Sequence, residues 1–213
     1  NSGQAVIQAV DPTNGALVHT IGFPVHPVYG IQAKPMKMTF GPDGRLYVSV
    51  NDVPFFGNIY VVEPTAAMAT EQFNTTPFAG LPSGLDFGPD GDLYVSSWSS
   101  GNFPHRVERL DGASGAIEAM IASDEDGLAY AVAVAFAADG TFYVGNQGFG
   151  SGGWITHHTV AGDDLGQLRQ HVGVDQRRVG DGHRAGDPAQ QHAAQRDDGG
   201  EAVHQLDHQL AAP

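Results

Sequence analysis

Apolar and polar positions alternate over most of the chain from about residue 5 to residue 172. Gly84-Leu85-Asp86-Phe87 sends every second side chain the same way, the period of a strand with one packed face. Gly88-Pro89-Asp90-Gly91 interrupts it with turn chemistry: Pro presets φ, Asp bonds its own backbone, and Gly takes the positive φ that closes a tight hairpin. Leu93-Tyr94-Val95-Ser96-Ser97-Trp98 is a second strand, rich in β-formers. Arg106–Leu110 alternates again, Asp111-Gly112-Ala113-Ser114-Gly115 turns, and Ala116–Ile121 returns. Residues 82–121 are therefore predicted to form four antiparallel strands.

This unit recurs. Phe40-Gly-Pro-Asp-Gly-Arg-Leu-Tyr-Val-Ser and Phe136-Ala-Ala-Asp-Gly-Thr-Phe-Tyr-Val-Gly match Phe87-Gly-Pro-Asp-Gly-Asp-Leu-Tyr-Val-Ser position for position. The three phenylalanines stand 47 and 49 residues apart, close to the roughly 40–50 residues of a propeller blade. The expected fold is all-β: an incomplete β-propeller of about three four-stranded antiparallel blades plus a half blade. Blade one covers about 36–73, with strands at 36–40, 45–50, 58–63 and 69–73; blade two covers 82–121. Blade three covers 131–172, with strands at 131–136, 141–146, 154–160 and 165–172. Residues 5–21 parallel Arg106–Ile121 and read as the outer half of an earlier blade, whose first two strands lie upstream or come from the far end of the chain. An extended, proline-rich connector follows over 22–36.

The pattern stops at 172. A fourth signature is due near position 184, where Val179-Gly180-Asp181-Gly182-His183-Arg184 stands instead. From Thr159 onward there is no Phe, Tyr, Trp, Met, Ile, Lys, Asn or Ser, so the segment cannot bury enough apolar surface to offset ordering entropy of roughly 1–2 kcal/mol per residue. The chain divides into a propeller fragment, 1–172, and a tail, 173–213. The tail reads either as a disordered His- and Asp-rich extension suited to metal ions or as the translation of a shifted frame of GC-rich DNA.

The 41% hydrophobic and 16% charged fractions of the 213 residues suit a globular protein. A net charge of −14 argues against a nucleic-acid partner, which needs clustered Lys and Arg. Cysteine is absent, so there is no disulfide or thiolate framework. No apolar run approaches the roughly 18 residues of a membrane span. The start at Asn1, without Met, reads as a mature chain or an internal fragment. A secreted-type protein, extracellular or periplasmic, is expected.

The repeats Phe40–Ser49, Phe87–Ser96 and Phe136–Gly145 resemble those of NHL-type and SMP-30/gluconolactonase-like six-bladed propellers, and of virginiamycin-B-lyase-like propellers. That resemblance implies metal-dependent lactone hydrolysis as one chemistry, with a divalent cation (calcium) held on the innermost strands. The matching positions here are Met36, Ser83 and Val132, of which only a Ser hydroxyl can ligate a hard cation. The lyase branch implies a His and Glu pair beside the channel. His105 and Glu108, three apart in one strand, project to opposite faces, as do the adjacent His157 and His158. His19, His26 and His105 read as surface or packing residues.

Loops after the second strand of each blade are expected on one face of the fold. They and the strand ends carry Asn51, Phe55 and Phe56 in blade one, Trp98, Asn102 and Phe103 in blade two, and Asn146 and Phe149 in blade three. Aromatic platforms beside Asn suit a small molecule, a sugar or a protein surface, whereas the same phenylalanines turned inward would plug gaps between blades. Ser123-Asp124-Glu125-Asp126-Gly127 reads as a solvated acidic turn or half of a calcium loop. The expected function is a binding and interaction module acting through this loop face, without a firmly assigned cofactor. The alternative is a lactonase-type hydrolase or a lyase that uses a divalent cation.

Overall fold

A computed structural model describes residues 5–25, 30, 32–53, 56–74, 78–98, 104–148 and 152–168. The tail 173–213, which carries the frame and metal readings, lies outside them, as does His26. The strands of the described residues all pair antiparallel, with one isolated parallel bridge at Gly22–Met68 and one 3-10 turn at Asp124–Asp126.

Blade one comprises β3 (Lys34–Phe40), β4 (Leu46–Val53), β5 (Phe56–Val62) and the two-residue β6 (Glu71–Gln72), paired in that order. Its fourth strand is shorter than expected, and β7 (Phe78–Ala79) adds to the other end of β5. Blade two comprises β8 (Leu81–Phe87), β9 (Leu93–Trp98), β10 (Arg106–Leu110) and β11 (Ile117–Ser123). Blade three comprises β12 (Ala131–Phe136), β13 (Phe142–Asn146), β14 (Trp154–His158) and β15 (Asp164–Leu168). The half blade pairs β1 (Val6–Val10) with β2 (Leu17–Gly22). Its turn repeats the outer turn of blade two bond for bond. Asp11 N–H donates to Ala16 and Gly15 N–H to Asp11, as Asp111 N–H does to Ala116 and Gly115 N–H to Asp111.

The inner hairpins close as the motif requires. Gly44, Gly91 and Gly140 carry φ of 80°, 88° and 85°, a region that glycine enters without steric cost. Gly41, Gly88 and Ala137 N–H groups reach back across their turns to the residue before the second strand.

Packing lies between blades. Tyr47, Ile59, Val61 and Phe73 of blade one meet Leu85, Leu93, Val95 and Leu110 of blade two in one buried cluster. Tyr94, Val107 and Ala122 of blade two meet Val134, Phe142 and Val144 of blade three in another. The half blade closes a third against the outer part of blade one through Ile21, Phe23, Leu46, Val48, Val50 and Val62. The two joints between the full blades carry the same edge-on ring pair, Tyr47 on Phe87 and Tyr94 on Phe136, both with centroids 4.8 Å apart, the geometry favoured by the ring quadrupoles. The tyrosine hydroxyls donate to Asp43 and Asp90 of their own hairpins, at 3.1 and 2.8 Å. His19 joins this scaffold, its Nε2 lying 2.7 Å from the Ala66 carbonyl.

Candidate functional site

The link from Ser123 to Tyr130 connects blades two and three, and it is held on every side. Ser123 caps the 3-10 turn in a reciprocal capping box with Asp126, and Gly127 ends it at φ 80°. Leu128 drops into the core between the blades. The indole N–H of Trp154 donates to the Gly127 carbonyl at 3.2 Å. Ala129 N–H donates to the Asn146 amide oxygen at 2.9 Å, and Gln147 N–H to the Tyr130 carbonyl at 3.1 Å. This link is an ordered acidic turn, and its carboxylates cap and brace it: His105 N–H donates to Asp124 Oδ1 at 2.8 Å.

The link delivers Tyr130, whose φ of 52° makes it the sole non-glycine residue with positive φ among those described. For a bulky residue that backbone is costly and persists only where surrounding contacts over-determine it. The Tyr130 ring sits between two others: Trp98, from the end of β9, at 5.8 Å, and His105, just before β10, at 4.5 Å, both tilted near 40°. All three are half-buried. They lie at one end of blades two and three, where second strands finish and third strands begin.

Of the residues expected at the loop face, Trp98 enters this group. Asn146 stands beneath it and is 4% exposed. Its amide nitrogen donates to Val144 and Thr156, and its oxygen holds the link that bears Tyr130. Asn51 lies at the blade-one part of the same end, half-buried, its Oδ1 without a hydrogen-bond partner. Phe55, Asn102, Phe103, Phe149 and the side chain of Phe56 lie outside the described residues. Tyr130 and His105 were missed as partners. The Tyr130 signal is faint in sequence, a single aromatic immediately before an inner strand.

The implied cation set does not fit. Met36, Ser83 and Val132 fall in register breaks, between Pro35 and Lys37, Pro82 and Gly84, and Ala131 and Ala133. A bulge re-aims its side chain, yet two of the three are apolar, and Ser83 Oγ donates to Leu81 O of its own strand. No group of three or more His, Asp or Glu suited to a metal occurs among the described residues. The His and Glu pair does not converge either. His105 lies tilted against Tyr130, while Glu108 shares its face with Leu110 and Val95, which pack toward blade one. Burial pushes the Glu108 carboxyl up, and Arg106, 3.3 Å away, draws it down. His157 and His158 face opposite ways, stacked on Tyr143 and Phe142 respectively.

No protein-family model and no curated protein matches the chain. Solved structures do. Hydrazine synthase from Kuenenia stuttgartiensis superposes with a TM-score of 0.53 at 17% identity, covering 72% of this chain and 45% of that one. The Dos1 propeller gives 0.52 at 12%, covering 77% and 42%. A gluconolactonase from Xanthomonas campestris gives 0.51 at 15%, covering 78% and 56%. The chain thus spans about half the length of these structures. At such identities the likeness establishes the fold, and proteins of such different names on one scaffold show that the fold carries no single chemistry. The chain is an all-β, incomplete β-propeller.

Proposed function

We propose that this chain is a propeller binding module whose ligand stacks on the Trp98–Tyr130–His105 group at the loop face. The observation that carries the reading is Tyr130: an aromatic side chain kept at φ 52° by contacts on both sides of its link. Rigid aromatic surface binds at low entropic cost, because little is left to immobilise. A sugar ring, a planar small molecule or a protein side chain all have a face that suits it.

The likeness of the hairpin repeats to those of six-bladed, gluconolactonase-like propellers supports placing the chain beside that group. The enzymatic reading that goes with the group has less support, because the described inner strands present Met36, Ser83 and Val132 where hard oxygen ligands belong. Tryptophan fluorescence, titrated with cellohexaose and with a lysine-rich and an arginine-rich peptide, tests the binding reading. At least one probe should saturate the signal, and Tyr130→Ala should weaken it tenfold or more while thermal unfolding stays cooperative. Saturation that survives Trp98→Ala and Tyr130→Ala together would put the site elsewhere. Calcium-dependent turnover of glucono-1,5-lactone would replace a binding module with an enzyme.

A further inference from the structure

Charge is distributed unevenly around the Trp98–Tyr130–His105 group. The segments that meet at this end of blades two and three, 98–105, 123–130 and 147–153, hold Asp124, Glu125 and Asp126 and no lysine or arginine. Between residues 78 and 168 the chain has two such cations, Arg106 and Arg109. Both are engaged elsewhere. Arg106 lies opposite Ser97 and pairs with Glu108 at 3.3 Å, on the side of the sheet that faces blade one. Arg109 lies opposite Tyr94, toward the far end of the blade, and pairs with Glu118 at 3.0 Å and Asp92 at 3.6 Å. Among the described residues no lysine or arginine pairs with Asp124, Glu125 or Asp126. The aromatic group therefore stands in a negative field.

Ring faces carry the negative part of the aromatic quadrupole and attract a cation within about 6 Å of the centroid. Trp98 and Tyr130, with centroids 5.8 Å apart and planes at 43°, put two such faces within reach of one head group. The nearby carboxylates are anchored to the link. Asp124 Oδ1 accepts the His105 N–H, and Asp126 Oδ2 accepts both the N–H and the hydroxyl of Ser123. They act on the rings through their field, while the rings themselves offer π surface in place of acceptor oxygens. A guanidinium or a primary ammonium brings N–H donors that call for such oxygens; a quaternary ammonium brings none. That also sets aside the chain's own arginines as occupants. Its two lysines, Lys34 and Lys37, are both on β3, so the cation comes from outside the chain.

We propose, resting on the stacking site described above, that its ligand is a quaternary ammonium head group seated on the Trp98 and Tyr130 faces in the field of Asp124 and Glu125. The group is free, as in choline, or carried on a trimethylated lysine. A phosphate attached next to it is disfavoured, because the same carboxylates repel it.

Calorimetry on the full 213-residue chain tests this with choline, phosphocholine, dimethylbutanol (the uncharged isostere of choline) and a peptide bearing one trimethylated lysine. Choline should bind about tenfold tighter than dimethylbutanol or phosphocholine. Asp124→Asn with Glu125→Gln keeps an acceptor for the His105 N–H. It should weaken choline about threefold to tenfold and change dimethylbutanol little. Tyr130→Ala should remove choline binding. A peptide that binds tighter than choline assigns the head group to a modified protein, and the reverse order to a free small molecule; either supports the proposal. Choline no tighter than dimethylbutanol, or indifferent to the carboxylate variant, overturns it and leaves the stacking site in place. Cellohexaose binding that Tyr130→Ala removes, without choline binding, does the same. Silence from every probe, cellohexaose included, overturns the stacking site as well.

Discussion

Leu85 and Met38 occupy the same position of the same repeat, one on the inner strand of blade two and one on that of blade one. Leu85 is 1% exposed and Met38 49%. The strands share length, bulge position, hairpin and closing ladder, so nothing local separates them. What differs is the blade before. Tyr47, Ile59 and Val61 lie against Leu85, whereas β1 and β2 cover only the outer part of the blade-one face. A propeller blade is half of two interfaces. Its hydrophobic pattern states what it needs as a neighbour, and stability is then a sum of units and joints.

That difference can be broken at its centre. Leu85→Ala should cost about 2–5 kcal/mol in chemical denaturation, because it removes buried methyl groups and leaves a cavity between two blades. Met38→Ala should fall within about 0.5 kcal/mol of the parent, as a surface change does. Equal losses at the two sites would mean that β3 is covered in solution. Gly84 is the next largest. A Cβ built there lands on the backbone of Ala133 in blade three, so Gly84→Ala should cost about 1–3 kcal/mol through overpacking. The matching position of blade one already carries Lys37, which is exposed. Tyr94→Phe should cost roughly 0.5–1.5 kcal/mol, the net worth of its hydrogen bond to Asp90. Burial and Asp90 together push this phenol up to about 12, so the hydroxyl stays protonated across the accessible range. Tyr143→Phe on the half-exposed side of blade three should change almost nothing, since its ring stacks on His157.

How much of this was legible follows the repeat. The Phe-turn-Leu-Tyr-Val pattern located the hairpins because each residue in it answers a local demand: φ at Gly91, the Asp90 bond to Tyr94, alternation along β9. It located the fold for the same reason. The candidate site was legible only in part. Trp98 showed itself as a large aromatic at a strand end. Tyr130 did not, because its role comes from a left-handed backbone imposed by Asn146 and Gln147, which lie far along the chain. Asn146 read as a free amide in sequence, yet every bond it makes is spent inside blade three and its link. Burial of single polar groups, such as Glu108 toward blade one, is also a tertiary outcome that alternation cannot report.

The smallest effect separates the two sides of one strand. His157 and His158 are neighbours on β14, but His158 is fully buried, stacked on Phe142, with both ring nitrogens lacking a partner. Burial lowers its pKa from 6.5, and Asp164 and Asp126 pull against that without reversing it. The folded chain therefore holds this imidazole neutral where the unfolded chain would protonate it. The stability it contributes is complete above 6.5 and is lost as pH falls through the depressed folded value. His158→Gln keeps a polar side chain that does not titrate there. Denaturation midpoints of parent and variant, followed from pH 8 downward, should run parallel above 6.5 and converge or cross below it as the parent weakens. Curves that stay parallel to pH 5 would mean that water or a carboxylate reaches the ring, and that the joint between blades two and three is less dry than Phe142 and Val144 make it.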